Sequence, residues 1–181
     1  MVEYLPSKQN VVGSSPIVRS TFKRCFVPDK IDFHEVETFL QKCGPKTRLY
    51  LGCDSRVYYT SARQRMVTYT TAIVIHIDGQ HGGKLFYENS TEPDRTLDRK
   101  KPSMRLMTEV YKVSELYLNM IDNVDSCIDK DIEIHVDINP QKEYKSSAII
   151  SEALGYIRGV CQVDAKVKPE AWAASSVADA F

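Results

Sequence analysis

No excess of charge of either sign marks this chain: across 181 residues, 24 Lys and Arg balance 24 Asp and Glu. A protein that coats nucleic acid without regard to sequence needs a broad basic surface, so any nucleic-acid contact here must be local. No apolar run is long enough to span a bilayer, and the opening MVEYLPSKQNVVGSSP has neither a basic start nor an unbroken apolar core. The expectation is a cytoplasmic protein with no membrane partner. Cys25, Cys43, Cys53, Cys127 and Cys161 are odd in number and widely spaced, with no C-x-x-C pair and no paired histidines. That pattern excludes a zinc ribbon and suits reduced thiols. Repeats and low-complexity tracts are absent, and so is any glycine-rich loop that would cradle a nucleotide, which argues against a small-molecule phosphotransferase.

What remains is a length suited to one domain with a sizeable core. Residues 1–30 hold Lys8, Arg19, Lys23, Arg24 and Lys30 against Glu3 and Asp29, a net 5 − 2 = +3. Much of this segment is rich in Ser, Pro and Gly, so an extended or weakly ordered basic arm is expected, with the domain proper at 31–181. A short helix should follow in DKIDFHEVETFLQKCGPK, with Asp32 as N-cap, Val36, Phe39 and Leu40 on one face, and a Gly-Pro stop. RLYLGCDSRVYY, RMVTYTTAIVIHI and GKLFYENST read as three strands with short links, hence an antiparallel meander. Leu106, Val110, Val113, Leu116 or Tyr117, and Met120 recur at helical spacing after Pro102-Ser103. DIEIHVDINP is a fourth strand, KSSAIISEALGYIRGV a second amphipathic helix, QVDAKVKP a fifth strand, and EAWAASSVADAF a terminal helix. Strand–helix–strand links demand parallel neighbours and the meander demands antiparallel ones, so the sheet must be mixed and the class α/β.

Strand alternation turns Leu49, Leu51, Cys53 and Val57 to one face of the first strand and Tyr50, Gly52, Asp54 and Arg56 to the other. A mid-strand Asp between LGC and SRV is costly unless something uses it. Asp137 lies near the carboxyl end of the fourth strand, where open α/β sheets usually bind ligands. On the long helix Glu109 borders the apolar stripe, whereas Glu115 groups with Lys112 and Asn119 on the wet face. Asp179 closes the set, although SSVAD is also a helix-capping pattern. His135 is expected to be a hydrogen-bonded strand residue rather than a catalyst. Clustered carboxylates repel one another and are tolerated when cations neutralise them. Two Mg²⁺ or Mn²⁺ ions, with Asp54 shared between them, would do so and would suit phosphodiester hydrolysis. RTLDRKKPSMR places Arg95, Arg99, Lys100, Lys101 and Arg105 just before the Glu109 helix, where they can hold phosphates, with a solvated loop diluted by Asp94 and Asp98 as the other reading.

An Asp in the first strand of a meander, a Glu on the next helix, an Asp at the end of the fourth strand and an Asp on the last helix together resemble the ribonuclease H-like superfamily. LGCDS, HVDINPQKEYKSSAIISEALGYIRG and VKPEAWAASSVAD further resemble its YkuK-type bacterial family, over roughly residues 31–181. The resemblance implies a ribonuclease H-like mixed five-stranded sheet in the order 3-2-1-4-5, with strand 2 antiparallel and helices on both faces. It also implies metal-dependent cleavage of RNA, RNA–DNA hybrid or structured DNA to a 3′-hydroxyl and a 5′-phosphate. Asp54, Glu109, Asp137 and Asp179 would be its metal ligands. The competing expectation is a non-catalytic module that keeps the fold and binds a nucleic acid or a protein; a need for divalent ions separates the two.

Overall fold

A computed structural model of the chain describes residues 30–79, 82–95, 103–141, 143 and 145–173. Asp32 opens helix α1 (Phe33–Leu40), its carboxylate accepting from the His34 and Glu35 amides at 2.9 and 3.3 Å. That satisfies amides left without partners in the first turn, and Val36 and Leu40 then face the core. The meander follows as β1 (Arg48–Tyr59), β2 (Arg65–His76) and β3 (Gly83–Pro93), all antiparallel. Gly82, at φ +85°, supplies the left-handed backbone that the turn before β3 uses.

Helix α2 (Ser103–Asn123) then crosses the sheet and delivers the chain to β4 (Asp131–Val136), parallel to β1. Helix α3 (Ile150–Cys161) returns it to β5 (Ala165–Lys166), parallel to β4. The resulting order is β3-β2-β1-β4-β5, the mixed sheet anticipated from connectivity. The fifth strand is shorter than expected, with only Ala165 and Lys166 in the ladder opposite Ile134 and His135. Beyond it, backbone contact with the segment after β4 continues as a bond from the Lys168 amide to the Ile138 carbonyl, 3.1 Å long.

The core lies between the three described α-helices and one face of the sheet, and most of the expected terminal helix EAWAASSVADAF lies outside the described residues. Leu49, Leu51 and Cys53 of β1, Val67, Tyr69, Ile73 and Ile75 of β2, and Ile134 and Val136 of β4 meet Leu106, Val110, Val113, Leu116 and Met120 of α2 and Ile157 of α3. Each fully buried aliphatic side chain contributes roughly 1.5–3 kcal/mol relative to exposure, so this stripe outweighs any local propensity.

On the opposite sheet face Tyr50, His135 and Trp172 form an aromatic group, with ring centroids 4.8 to 5.8 Å apart. His135 is buried and bonded through both nitrogens: Nδ1 accepts from the Ala173 amide at 3.1 Å, and Nε2 lies 3.3 Å from the Glu133 carboxylate. This is the strand role expected of it. An accepting Nδ1 requires the neutral ring protonated at Nε2, and burial lowers the imidazole pKa despite the opposing pull of Glu133. A lowered folded-state pKa means that the unfolded chain binds the proton more readily, so this contribution is present above the ordinary histidine pKa and lost on acidification. His135→Ala is expected to cost about 1–3 kcal/mol by orphaning the Ala173 amide, and to make stability in mild acid less dependent on pH. Hydrogen exchange at Ala173 provides the check; an unchanged rate would mean that the ring does not hold this segment.

Candidate functional site

Two of the carboxylates stand where β1 and β4 leave their shared ladder. The last parallel pair is Cys53 with Val136, and the next residue on each strand is an aspartate: Asp54 on β1 and Asp137 just past β4. Parallel strands share direction and register, so consecutive sequence positions become lateral neighbours. Asp54 is half-buried in the central strand, opposite Thr70 of β2. Asp137 sits where the chain bends, the Ile138 amide donating back to the Val136 carbonyl at 2.9 Å.

Glu109 arrives from α2. Three residues after Leu106 and four before Val113, it is carried inward by the helical period and is only 4% exposed. Glu115 of the same helix is exposed. Glu109 and Asp137 line one crevice with Cys53, Val110 and Val136, too tight for a water molecule. Burial is the main reason the Glu109 carboxyl is pushed up to about 8; the charges of Asp54 and Asp137 raise it further, while Ser55 and Arg105 pull it down. Asp54 and Asp137 are thus each within electrostatic reach of Glu109, as the smaller contributions to a shift that burial dominates.

Ser55 is the residue that the sequence reading passes over. Alternation places it on the Cys53 face of β1, opposite to the side taken by Asp54, and its hydroxyl donates to Glu109 Oε1. Arg105, one helical turn before Glu109, completes the arrangement: Nη1 donates to the Ser55 carbonyl at 3.0 Å, to the Ser55 hydroxyl, and to Glu109 Oε1 at 3.2 Å. The signal was available in the alternation itself, which turns Ser55 toward the helix that the apolar residues cover. Removing the hydroxyl in Ser55→Ala should raise the Glu109 pKa further, because the lost bond favours the ionised form; a carboxyl titration followed by NMR or infrared spectroscopy measures this. An unchanged titration would show that Ser55 does not tune the group.

The other sequence-selected residues divide. Arg95 is exposed just after β3, and Arg105 is turned inward onto Ser55 and Glu109. Arg99, Lys100, Lys101 and Asp179 lie outside the described residues. A cation that sequence reading did not select, Lys168, places Nζ 2.5 Å from Asp137 Oδ1. It approaches off the angle that a hydrogen bond needs, so this buried oxygen accepts none among the described residues.

Among the described residues no group of three or more His, Cys, Asp and Glu forms a ready metal site. The donors nevertheless fit a hard divalent cation in kind. They are carboxylate oxygens: Asp54 and Asp137 at the end of a parallel strand pair, the latter with a buried oxygen that accepts no hydrogen bond among the described residues, and Glu109 on α2, whose ionised form is disfavoured chiefly by burial. No described helix is long and apolar enough to cross a membrane.

No curated protein and no solved structure matches the chain. A family profile does: residues 33–181, which include every described strand and helix, match that of the ribonuclease H-like proteins. With its mixed sheet in the order β3-β2-β1-β4-β5 and its acidic residues at the β1–β4 junction, this chain belongs to the ribonuclease H-like family.

Proposed function

We propose that the protein is a divalent-metal-dependent nuclease that hydrolyses phosphodiester bonds in RNA, RNA–DNA hybrid or structured DNA. The observation that carries this reading is the position of Asp54 and Asp137 directly after the last β1–β4 pair, with Glu109 of α2 lining one crevice with Asp137. Asp54, Glu109 and Asp137 would hold the metal, with Asp179 as a fourth ligand from the terminal segment. A pair of Mg²⁺ or Mn²⁺ ions would supply an activated water and stabilisation of the leaving oxygen. The chain's own residues orient and charge the site: Ser55 and Arg105 fix the Glu109 carboxyl, and its rigid backbone mounts, a central strand and a long helix, limit rearrangement. Arg95 and the basic run Arg99, Lys100 and Lys101 would hold substrate phosphates beside it.

Incubating labelled RNA, RNA–DNA hybrid and a branched DNA with the protein in Mg²⁺, Mn²⁺ or EDTA tests the reading. Cleavage of at least one substrate that stops in EDTA is expected, with 5′-phosphate ends. The alternative, a binding module that has kept the fold, gives retention of nucleic acid without turnover in any of the three buffers.

Asp179 gives a narrower check. As a ligand, its change to Asn should weaken Mn²⁺ binding and cut cleavage strongly, because the amide keeps the shape without the charge. A helix-cap role would instead cost about 1 kcal/mol or less of stability and leave turnover unchanged.

A further inference from the structure

We infer that Lys168 is a phosphate-binding residue held in reserve on Asp137: a divalent ion that takes Asp137 releases the ammonium to contact the nucleic-acid backbone. The inference rests on the nuclease reading above and adds a residue and an order of binding to it. Lys168 Nζ stands 2.5 Å from Asp137 Oδ1 and is 42% exposed, against 21% for the aspartate, so the ammonium caps the carboxylate from the solvent side. The lysine backbone is anchored by its amide to the Ile138 carbonyl, and the Glu170 and Ala171 amides both bond to the Val167 carbonyl beside it. Its base is therefore fixed next to the acidic junction while a four-carbon stem lets its head move.

The contrast with Arg105 separates two roles. Arg105 is tied to a backbone carbonyl, a hydroxyl and a carboxylate, and leaving them would strand the Ser55 carbonyl. Among the described residues Lys168 has a single close carboxylate contact, without hydrogen-bond geometry, and the nearby Glu170 is 3.5 Å from Lys166. Of these two described cations it is the one held by fewer contacts and so the one that leaves more readily. An ammonium and a divalent ion cannot share one carboxylate oxygen without strong repulsion, so Lys168 opposes ion binding. The displaced head then lies at the rim of the ion site, where phosphate oxygens must approach.

Lys168→Met and Lys168→Arg, each first confirmed to melt like wild type, test this by Mn²⁺ calorimetry and by anisotropy of a fluorescent RNA–DNA hybrid in Ca²⁺ or EDTA. Lys168→Met is expected to bind Mn²⁺ several-fold more tightly. It should bind the hybrid several-fold more weakly in Ca²⁺, with the salt dependence reduced by about one unit of slope, the mark of one lost phosphate contact. In EDTA its hybrid binding should equal that of wild type, because Asp137 then holds the lysine. Lys168→Arg should retain the Ca²⁺-dependent hybrid affinity. Mn²⁺ affinity that is unchanged or weaker in Lys168→Met overturns the inference, as does equal loss of hybrid binding in Ca²⁺ and EDTA. If wild type itself binds no Mn²⁺, the nuclease reading falls first and takes this inference with it; if wild type binds and Lys168→Met matches it, only the role of Lys168 is lost.

Discussion

Asp54→Asn is expected to lower divalent-ion-dependent cleavage by at least about a hundredfold while leaving the fold intact, a loss at or beyond the upper end of what outer-shell changes at metal sites cause. Asp54 stands in the central strand of the sheet, between β2 and β4, and follows directly on the last residue paired with β4. A ligand there is presented by backbone paired with β2 and directly adjoining the β1–β4 ladder, so an amide of the same shape changes charge without changing position. Because Asp54 is one of the charges that raise the Glu109 pKa, its neutralisation should also lower that pKa. Cleavage assays, thermal melts without metal and a Glu109 titration read the three consequences separately. A variant that melts far below wild type in the absence of metal would make Asp54 a structural residue and remove it from the site.

The second large effect concerns Glu109 and appears in stability as well as activity. Its folded-state pKa of about 8 lies above the ordinary value of 4.5. The folded chain therefore holds a proton that the unfolded chain releases, and stability should decline as pH rises through the window from 4.5 to 8. The whole shift corresponds to roughly 5 kcal/mol at most, at about 1.4 kcal/mol per pKa unit. Glu109→Gln keeps an oxygen for Ser55 and Arg105 but has nothing to ionise, so its melting temperature should exceed that of wild type at pH 9 and approach it at pH 5. The same change should reduce cleavage by about a hundredfold or more, whereas Glu115→Gln, on the exposed side of α2, should be nearly silent in both assays. Equal losses from the two changes would mean that the buried position of Glu109 has no bearing on function.

Several elements were legible because one local rule decided them. The limits of β1 at Arg48 and Tyr59 coincide with an apolar–polar alternation, and Asp32 caps α1 because its short carboxylate reaches two free amides. Glu109 and Glu115 were separable by helical phase alone, since the neighbouring Leu106 and Val113 define the inward direction. The fifth strand misled because QVDAKVKP carries strand propensity along its length, while pairing depends on where β4 stops and the chain bends at Asp137. Ser55 was passed over because a serine in a strand has no chemistry of its own until its neighbours are known.

From its order of residues alone, this protein's mixed sheet and its candidate acids could be derived, whereas the strand order was what the family resemblance implied. The mixed sheet and the faces of the acids follow from periodicities of two and 3.6 residues and from the parallel pairing that helical crossovers impose. Tertiary structure alone decided which groups neutralise those acids. Arg105, expected beside phosphates, turns inward to Ser55 and Glu109, and Lys168, in the segment read as the fifth strand, reaches Asp137. Long cationic side chains have several rotatable bonds and no strong directional preference in sequence. Their partners are set by the depth of burial and the charge around them, which exist only once distant segments have packed together.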